Sequence, residues 1–215
     1  MAIDHVFIFS ARHGAEADEL LAFGFTEGSS RTHPGQGTRN RKFYFENFFL
    51  EILWVINEQE LRSDLLAPTK LWERANFQTN AHSRFGLCLL NDDSTDALFT
   101  PSVAYQPAYF PPGSAIEVLP NAEQPALPWT FRLPFKGPRQ KSDEPTAHPN
   151  GLVRLTNATF GVPSLDPQNS FVRHFQNEPD IAFTASSSPD LVLLFDNHKT
   201  NRTKVFEGFP LTIKY

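Results

Sequence analysis

An α+β protein assembled from repeated βαβββ units is the fold that this sequence predicts, and three observations predict it. Residues 1–57 place their elements in the order strand, helix, strand, strand, strand. Residues 151–215 run through the same order again with different residues and one strand more. The chain is also rich in Phe, with 21 against a single Met, and Phe-rich strands make large, stiff core surfaces that can line apolar pockets.

Residues 3–10 are β-branched or aromatic with few polar positions, the pattern of a buried strand. Residues 15–23 set Leu20, Leu21 and Phe23 against Glu16, Asp18 and Glu19, a short amphipathic helix with acids in its early turns. Gly24 stands where that helix ends. A strand is expected near residues 25–30, then a polar loop over 33–40, a strand over 41–45, a turn at Glu46 and Asn47, and a long apolar strand over 48–56.

Residues 58–83 read as a helical connector, with Leu61, Leu65 and Leu66 at helical spacing and Pro68 interrupting them. Residues 84–150 read as a reduced, β-rich middle stretch: a strand over 84–90, a short helix over 92–100, and strands over 114–119 and 129–135. Residues 136–150, with three prolines, a glycine and many charges, suit an exposed connection. The last unit, 151–215, holds a strand over 152–162, a helix over 166–176 and four further strands, all within one compact fold.

A net charge of −5 argues against a nucleic-acid surface, and Arg39, Arg41 and Lys42 are too short a basic cluster to reverse it. The lone Cys88 excludes an internal disulfide framework and fits a reducing compartment. Asp4 and His5 interrupt the opening apolar stretch, so no secretory h-region is expected. No stretch approaches the ~20 apolar residues of a membrane span. A cytoplasmic protein is the expectation, its partner a small-molecule ligand rather than nucleic acid or membrane, with a homodimer left open.

Several separated motifs carry a family resemblance. Ile3-Asp4-His5-Val6, Phe23-Gly24-Phe25, the loop from His33 to Asn40, and Phe49-Leu50-Glu51-Ile52 occur in order. His148-Pro149-Asn150-Gly151 and Phe209-Pro210-Leu211 follow later. Together they resemble the glyoxalase-like branch of the vicinal-oxygen-chelate superfamily. The resemblance implies a cupped, half-open mixed sheet with helices outside and one pocket inside. It implies a lyase, isomerase or dioxygenase-type enzyme, or a metal-free binding or resistance-type protein, and leaves the substrate open.

By that resemblance His5 and Glu51 match the two metal-binding positions of a unit, where they would hold a divalent Fe, Mn or Zn ion or serve catalysis. Strand alternation sets His5 beside Ile3 and Phe7, and Glu51 beside Phe49 and Leu53. A carboxylate among aromatics is costly to bury without a metal, hydrogen bond or cation. Three roles stay open for this pair: a mutual hydrogen bond ordering the sheet, a polar anchor for substrate, or a metal site. Aligning the last unit on the first puts Asn157 and Thr212 at the matching positions. Neutral amide and hydroxyl groups are poor transition-metal ligands, so the implied metal site is incomplete and these two residues become candidate substrate contacts. The loop adds His33, Gly37, Thr38 and Asn40 as substrate-binding candidates, because Gly35 and Gly37 admit conformations that present N–H groups to an anion or carbonyl.

Overall fold

β1 (Ile3–Phe9) is buried along its whole length, which requires neighbours on both sides and a cover on both faces. It lies between two strands in the middle of an eight-stranded mixed sheet, pairing in parallel with β4 (Phe49–Val55) and antiparallel with β5 (Phe85–Asn91). Beyond β4 come β3 (Thr38–Tyr44) and β2 (Arg31–His33). Beyond β5 come β8 (Trp129–Lys136), β7 (Ile116–Leu119) and β6 (Val103–Tyr105). The computed structural model describes residues 1–139 and 142–215. Within the connection expected over 136–150, Gln140 and Lys141 lie outside the described residues.

The two halves of this sheet have matching order, β1-β4-β3-β2 and β5-β8-β7-β6, and it curls into a half-barrel. The middle stretch is therefore a full four-stranded partner of the first unit. Two differences hide it in the sequence. Residues 92–100 form turns rather than the expected helix, and β6 lies in a stretch that reads as loop. The helix of the first unit, α1 (Glu16–Phe23), ends as expected at Gly24, whose φ of 101° lies in the left-handed region.

The last unit does not reproduce the pairing of the first. β9 (Leu155–Pro163) lies between β10 (Ile181–Ser186) and β11 (Asp190–Phe195), and β11 continues to β13 (Leu211–Lys214) and β12 (Thr203–Val205). This separate five-stranded sheet packs on the convex face of the first through a core that includes Val6, Ile8, Leu50 and Ile52 on one side, and Ala158, Phe160, Leu193 and Ile213 on the other. The expected helix over 166–176 shortens to α4 (Ser170–Arg173), capped by the Asn169 side chain.

The concave face has its own aromatic cluster. Phe7, Phe9, Leu53, Trp129 and Phe131 pack there with Leu61, Leu66 and Leu71 of the connector. The connector comprises α2 (Glu58–Leu61), α3 (Leu71–Ala75) and short 3-10 turns, and it packs on the concave face through Leu61, Leu66 and Leu71. Trp129 Nε1–H donates to Thr69 O at 2.6 Å, tying β8 to it. Arg74, 0% exposed, donates to the carbonyls of Pro120, Pro125 and Leu127 at 2.5–2.8 Å and to Ser83 O at 3.4 Å. Burial lowers its pKa to about 9. No helix among the described residues is long and apolar enough to cross a membrane.

His148 fastens the last part of the connection at 136–150 to the first unit. Its Nδ1 accepts from Thr26 N–H at 2.9 Å and its Nε2–H donates to Tyr44 O at 2.9 Å, between the rings of Phe25 and Phe45. Both nitrogens are used only in the neutral ring. Burial pushes its pKa below the usual value, although the bond to Tyr44 opposes this. The unfolded chain then takes up the proton first, so stability is full above about pH 6.5 and declines as pH falls toward the lower folded value. His33, likewise lowered by burial, acts in the same window. Urea titrations from pH 8 to 5 should show falling stability, with a shallower slope in His148→Gln; an unchanged slope would remove His148 from this account.

Candidate functional site

Strand pairing sets one grid of side chains on the concave face. His5 stands opposite Phe49 and Phe7 opposite Glu51. Across β4, Glu51 faces Lys42 and Leu53 faces Asn40; Asn40 in turn faces Arg31. On the other side His5 meets Cys88 and Phe7 meets Gly86, while β8 adds Trp129 and Phe131. Together these residues enclose most of a cavity of about 340 Å³, a size that suits a small organic ligand. Gly86 is required by Phe7: a Cβ at Gly86 would overlap the Phe7 ring.

The polar centre of this cavity is Asp4, His5, Glu51 and Asn40. Pairing steps from Ile3 opposite Leu89 to His5 opposite Cys88, leaving Asp4 as the extra residue of a β-bulge. The bulge brings Asp4 and His5 to the same cavity wall, where simple alternation would have separated them. Asp4 Oδ1 lies 2.7 Å from His5 Nδ1, and His5 Nε2 lies 3.7 Å from Glu51 Oε2. Asn40 Nδ2 donates to Glu51 Oε1 at 2.5 Å, while its Oδ1 accepts from Arg31 N at 2.7 Å. Arg139 donates to Asp4 O and stands 3.4 Å from Asp4 Oδ2. Burial drives the Asp4 carboxyl upward, but the His5 hydrogen bond and the charges of His5 and Arg139 outweigh it and hold Asp4 below its ordinary value. The His5 ring stacks on Phe49 at 4.3 Å and meets Phe131 edge-on at 5.3 Å. His5 is thus oriented by a carboxylate on one nitrogen and turns the other toward a second carboxylate.

The loop after β2 plays a different part from the one expected. The N–H groups of Gln36 and Gly37 donate to His33 O, and Gly35 N–H donates to Glu60 at 2.6 Å, so none is left for a ligand. Gly37 is a backbone hinge: its carbonyl accepts from both Ile56 and Asn57. Thr38 is fully buried, with its hydroxyl between His33 Nδ1 and Gln36 Nε2, each at 2.9 Å. His33 and Asn40 do line the cavity; Gly37 and Thr38 hold the wall behind them. Tyr109, which sequence reasoning missed, closes the rim by donating to Gln36 Oε1 at 3.1 Å.

Asn157 and Thr212 are elsewhere. They lie on β9 and β13 of the five-stranded sheet, and Asn157 donates to Pro179 O. The correction follows from topology: the first unit pairs with residues 85–136, not with 155–214. Arg84 is tied to Phe9 O and Glu16 at the sheet's far end, and His82 bonds Asn80; neither lines the cavity.

The donor set fits the metal site that the resemblance implies only in part. Where the partner unit should add two ligands, β5 and β8 offer Gly86, Cys88, Trp129 and Phe131, with neither imidazole nor carboxylate. Asp4, His5 and Cys88 do form a buried group that can hold a metal, with ligand atoms within 4.8 Å of one another. Burial and the nearby Asp4 charge push the Cys88 thiol well above its usual pKa, so binding there would have to displace a proton.

Residues 3–98 match the family model described as a glyoxalase-like domain. Among solved structures the chain is similar to a hypothetical protein from Staphylococcus aureus, at 10% identity over 99% of this chain and 98% of that one, with a TM-score of 0.55. At that identity the likeness shows the fold alone. A hypothetical protein from Bacillus halodurans C-125 aligns at 12% identity over 66% of this chain and 97% of that one, with a TM-score of 0.38, too low to carry an argument. No curated protein matches the chain.

Proposed function

We propose that the chain, whose residues 3–98 match a family model described as a glyoxalase-like domain, binds a small organic molecule in its cup and moves a proton on it, as a lyase or isomerase does. The supporting observation is the line Asp4–His5–Glu51, with 2.7 Å and 3.7 Å between successive groups, inside a largely apolar cavity. Asp4 fixes the tautomer and orientation of His5. Glu51, held on one oxygen by Asn40, keeps the other facing His5 and the cavity. A ligand carbon acid placed against them would give its proton to one of this pair, and the other would return it, contributing about 10²–10⁴ in rate.

Thermal-shift screening of small ketones, acids and phenols, with hits confirmed by calorimetry, supplies probes for the test. Proton NMR in D₂O then measures deuterium uptake by each bound hit. Uptake should proceed with the wild type and slow by about 10²-fold or more in Glu51→Gln and His5→Gln. Hits that bind but never exchange would leave a binding or resistance-type protein without catalysis.

A metal site is the second reading, favoured by the three donors of Asp4, His5 and Cys88. Imidazole with thiolate and carboxylate suits Zn above Fe or Mn, and such an ion supplies a Lewis acid for a ligand oxygen. Metal analysis of protein purified without chelator, with thermal shifts in Mn, Fe, Co, Ni and Zn, decides it. Absent metal and absent stabilisation would end this reading, as would stabilisation unchanged in Cys88→Ser.

A further inference from the structure

We propose that the ligand of the cup is an aromatic or conjugated monocarboxylate whose acid group sits between Arg31 and Lys42. The proposal rests on the cup being the ligand site and adds the chemical class. Arg31 and Lys42 both line the cavity. Arg31 stands opposite Asn40, and Lys42 is two residues further along the same strand, so the two cations are diagonal neighbours on one face. Such neighbours have Cβ atoms about 7–8 Å apart, a span that one carboxylate can bridge from two long side chains.

Neither cation comes within 4.0 Å of a carboxylate among the described residues. Each leans on an aromatic ring instead: the Arg31 guanidinium lies 4.5 Å from the centre of Tyr109, and Lys42 Nζ lies 5.3 Å from Tyr44 and 5.8 Å from Phe49. By contrast, Arg41 and Arg132 are each bound to two acids. The two acids deeper in the cup are already engaged, Asp4 by His5 and Arg139 and Glu51 by Asn40. The cavity therefore holds two cations without an ion-pair partner among the described residues, while Glu51, opposite Lys42 on the neighbouring strand, is hydrogen-bonded by Asn40 but not neutralised by it.

Charge count and donor geometry select the acid. A second negative charge would approach Asp4 and Glu51, which favours a monoanion. Phosphate sites commonly draw on clustered backbone N–H groups, and the glycine loop beside this rim has its own N–H groups bonded to His33 and Glu60. The planar carboxylate matches the flat fork of arginine. The body of the ligand is selected by the walls: Phe131 lies 4.8 Å from Trp129 and edge-on to His5, leaving faces and edges for a flat ring system.

Calorimetry on the full chain with benzoate and cinnamate, against benzamide, cinnamamide and phenyl phosphate, tests this. The acids should bind at least tenfold more tightly than their amides, with affinity falling as salt rises. In a double Arg31→Gln, Lys42→Met variant of unchanged melting temperature, acid and amide should bind equally while amide affinity stays as in the wild type. Amides that bind the wild type as well as the acids, an acid preference that survives the double variant, or tighter binding of phenyl phosphate would each overturn the carboxylate while leaving the cup as a ligand site. If neither acids nor amides bind, while other small molecules from the thermal-shift screen do, the aromatic class is wrong. If nothing binds, the cup itself loses its role.

Discussion

Replacing Arg74 by methionine is expected to lower the free energy of unfolding by about 3–5 kcal/mol, the largest effect foreseen for a single side chain outside the cup. The guanidinium gathers carbonyls from residues 83, 120, 125 and 127, which belong to the start of β5 and the loop between β7 and β8. No apolar side chain can replace these bonds, and each buried carbonyl left without a donor costs about 1–3 kcal/mol. Urea unfolding measures the loss, and Arg74→Lys should recover only part of it, because one ammonium cannot fan out to four acceptors. A methionine variant within about 1 kcal/mol of the wild type would show that these carbonyls find water instead.

Gly37→Ala ranks next, at about 2–4 kcal/mol, from an unfavourable backbone angle together with a steric clash. The φ at Gly37 is +70°, and an added Cβ would overlap the carbonyl oxygen of Asn57. Because Gly37 O receives the N–H groups of Ile56 and Asn57, the loop and the start of the connector would have to part together. The same measurement in Gly113→Ala provides the control: its φ of +81° is comparable, yet nothing lies within 4 Å of the added atom. Equal losses at the two positions would assign the whole effect to backbone strain and none to the contact with Asn57.

These two residues also mark what was legible in the sequence. The first unit was readable because its signals are local: the β-branched and aromatic runs of β1 and β4, acids opening α1, and Gly24 closing it. His5 and Glu51 came from the family resemblance of their motifs, and strand alternation agreed with that placement. Asp4 did not emerge, because a one-residue bulge leaves no mark on alternation, and periodicity assigned Asp4 to the opposite face. Gly37 stood out as a glycine in a polar loop, but its partner at Asn57 depends on a contact across 20 residues of chain that no spacing reveals. The partner unit was mistaken for a reduced stretch because its β6 is three residues long and its helix is replaced by turns. The last unit was mistaken for the partner because element order is written in the chain, whereas the neighbours of β9 are decided by long-range packing. Nothing in the sequence marks Arg74, since the carbonyls that claim it come from distant loops.

The connector packs against the aromatic wall of the cup. Leu61, Leu66 and Leu71 fill the region beside Phe9 and Leu53, and Trp129 anchors the connector through Thr69. Arg31, Lys42 and Tyr109 line the cavity together with His5 and Glu51, so a guest held at the two cations would be placed by its length. On the proposed reading such a vessel would measure its guest by depth: a compact molecule would bring its reactive atoms to His5 and Glu51, while a long chain attached at the wrong end would not.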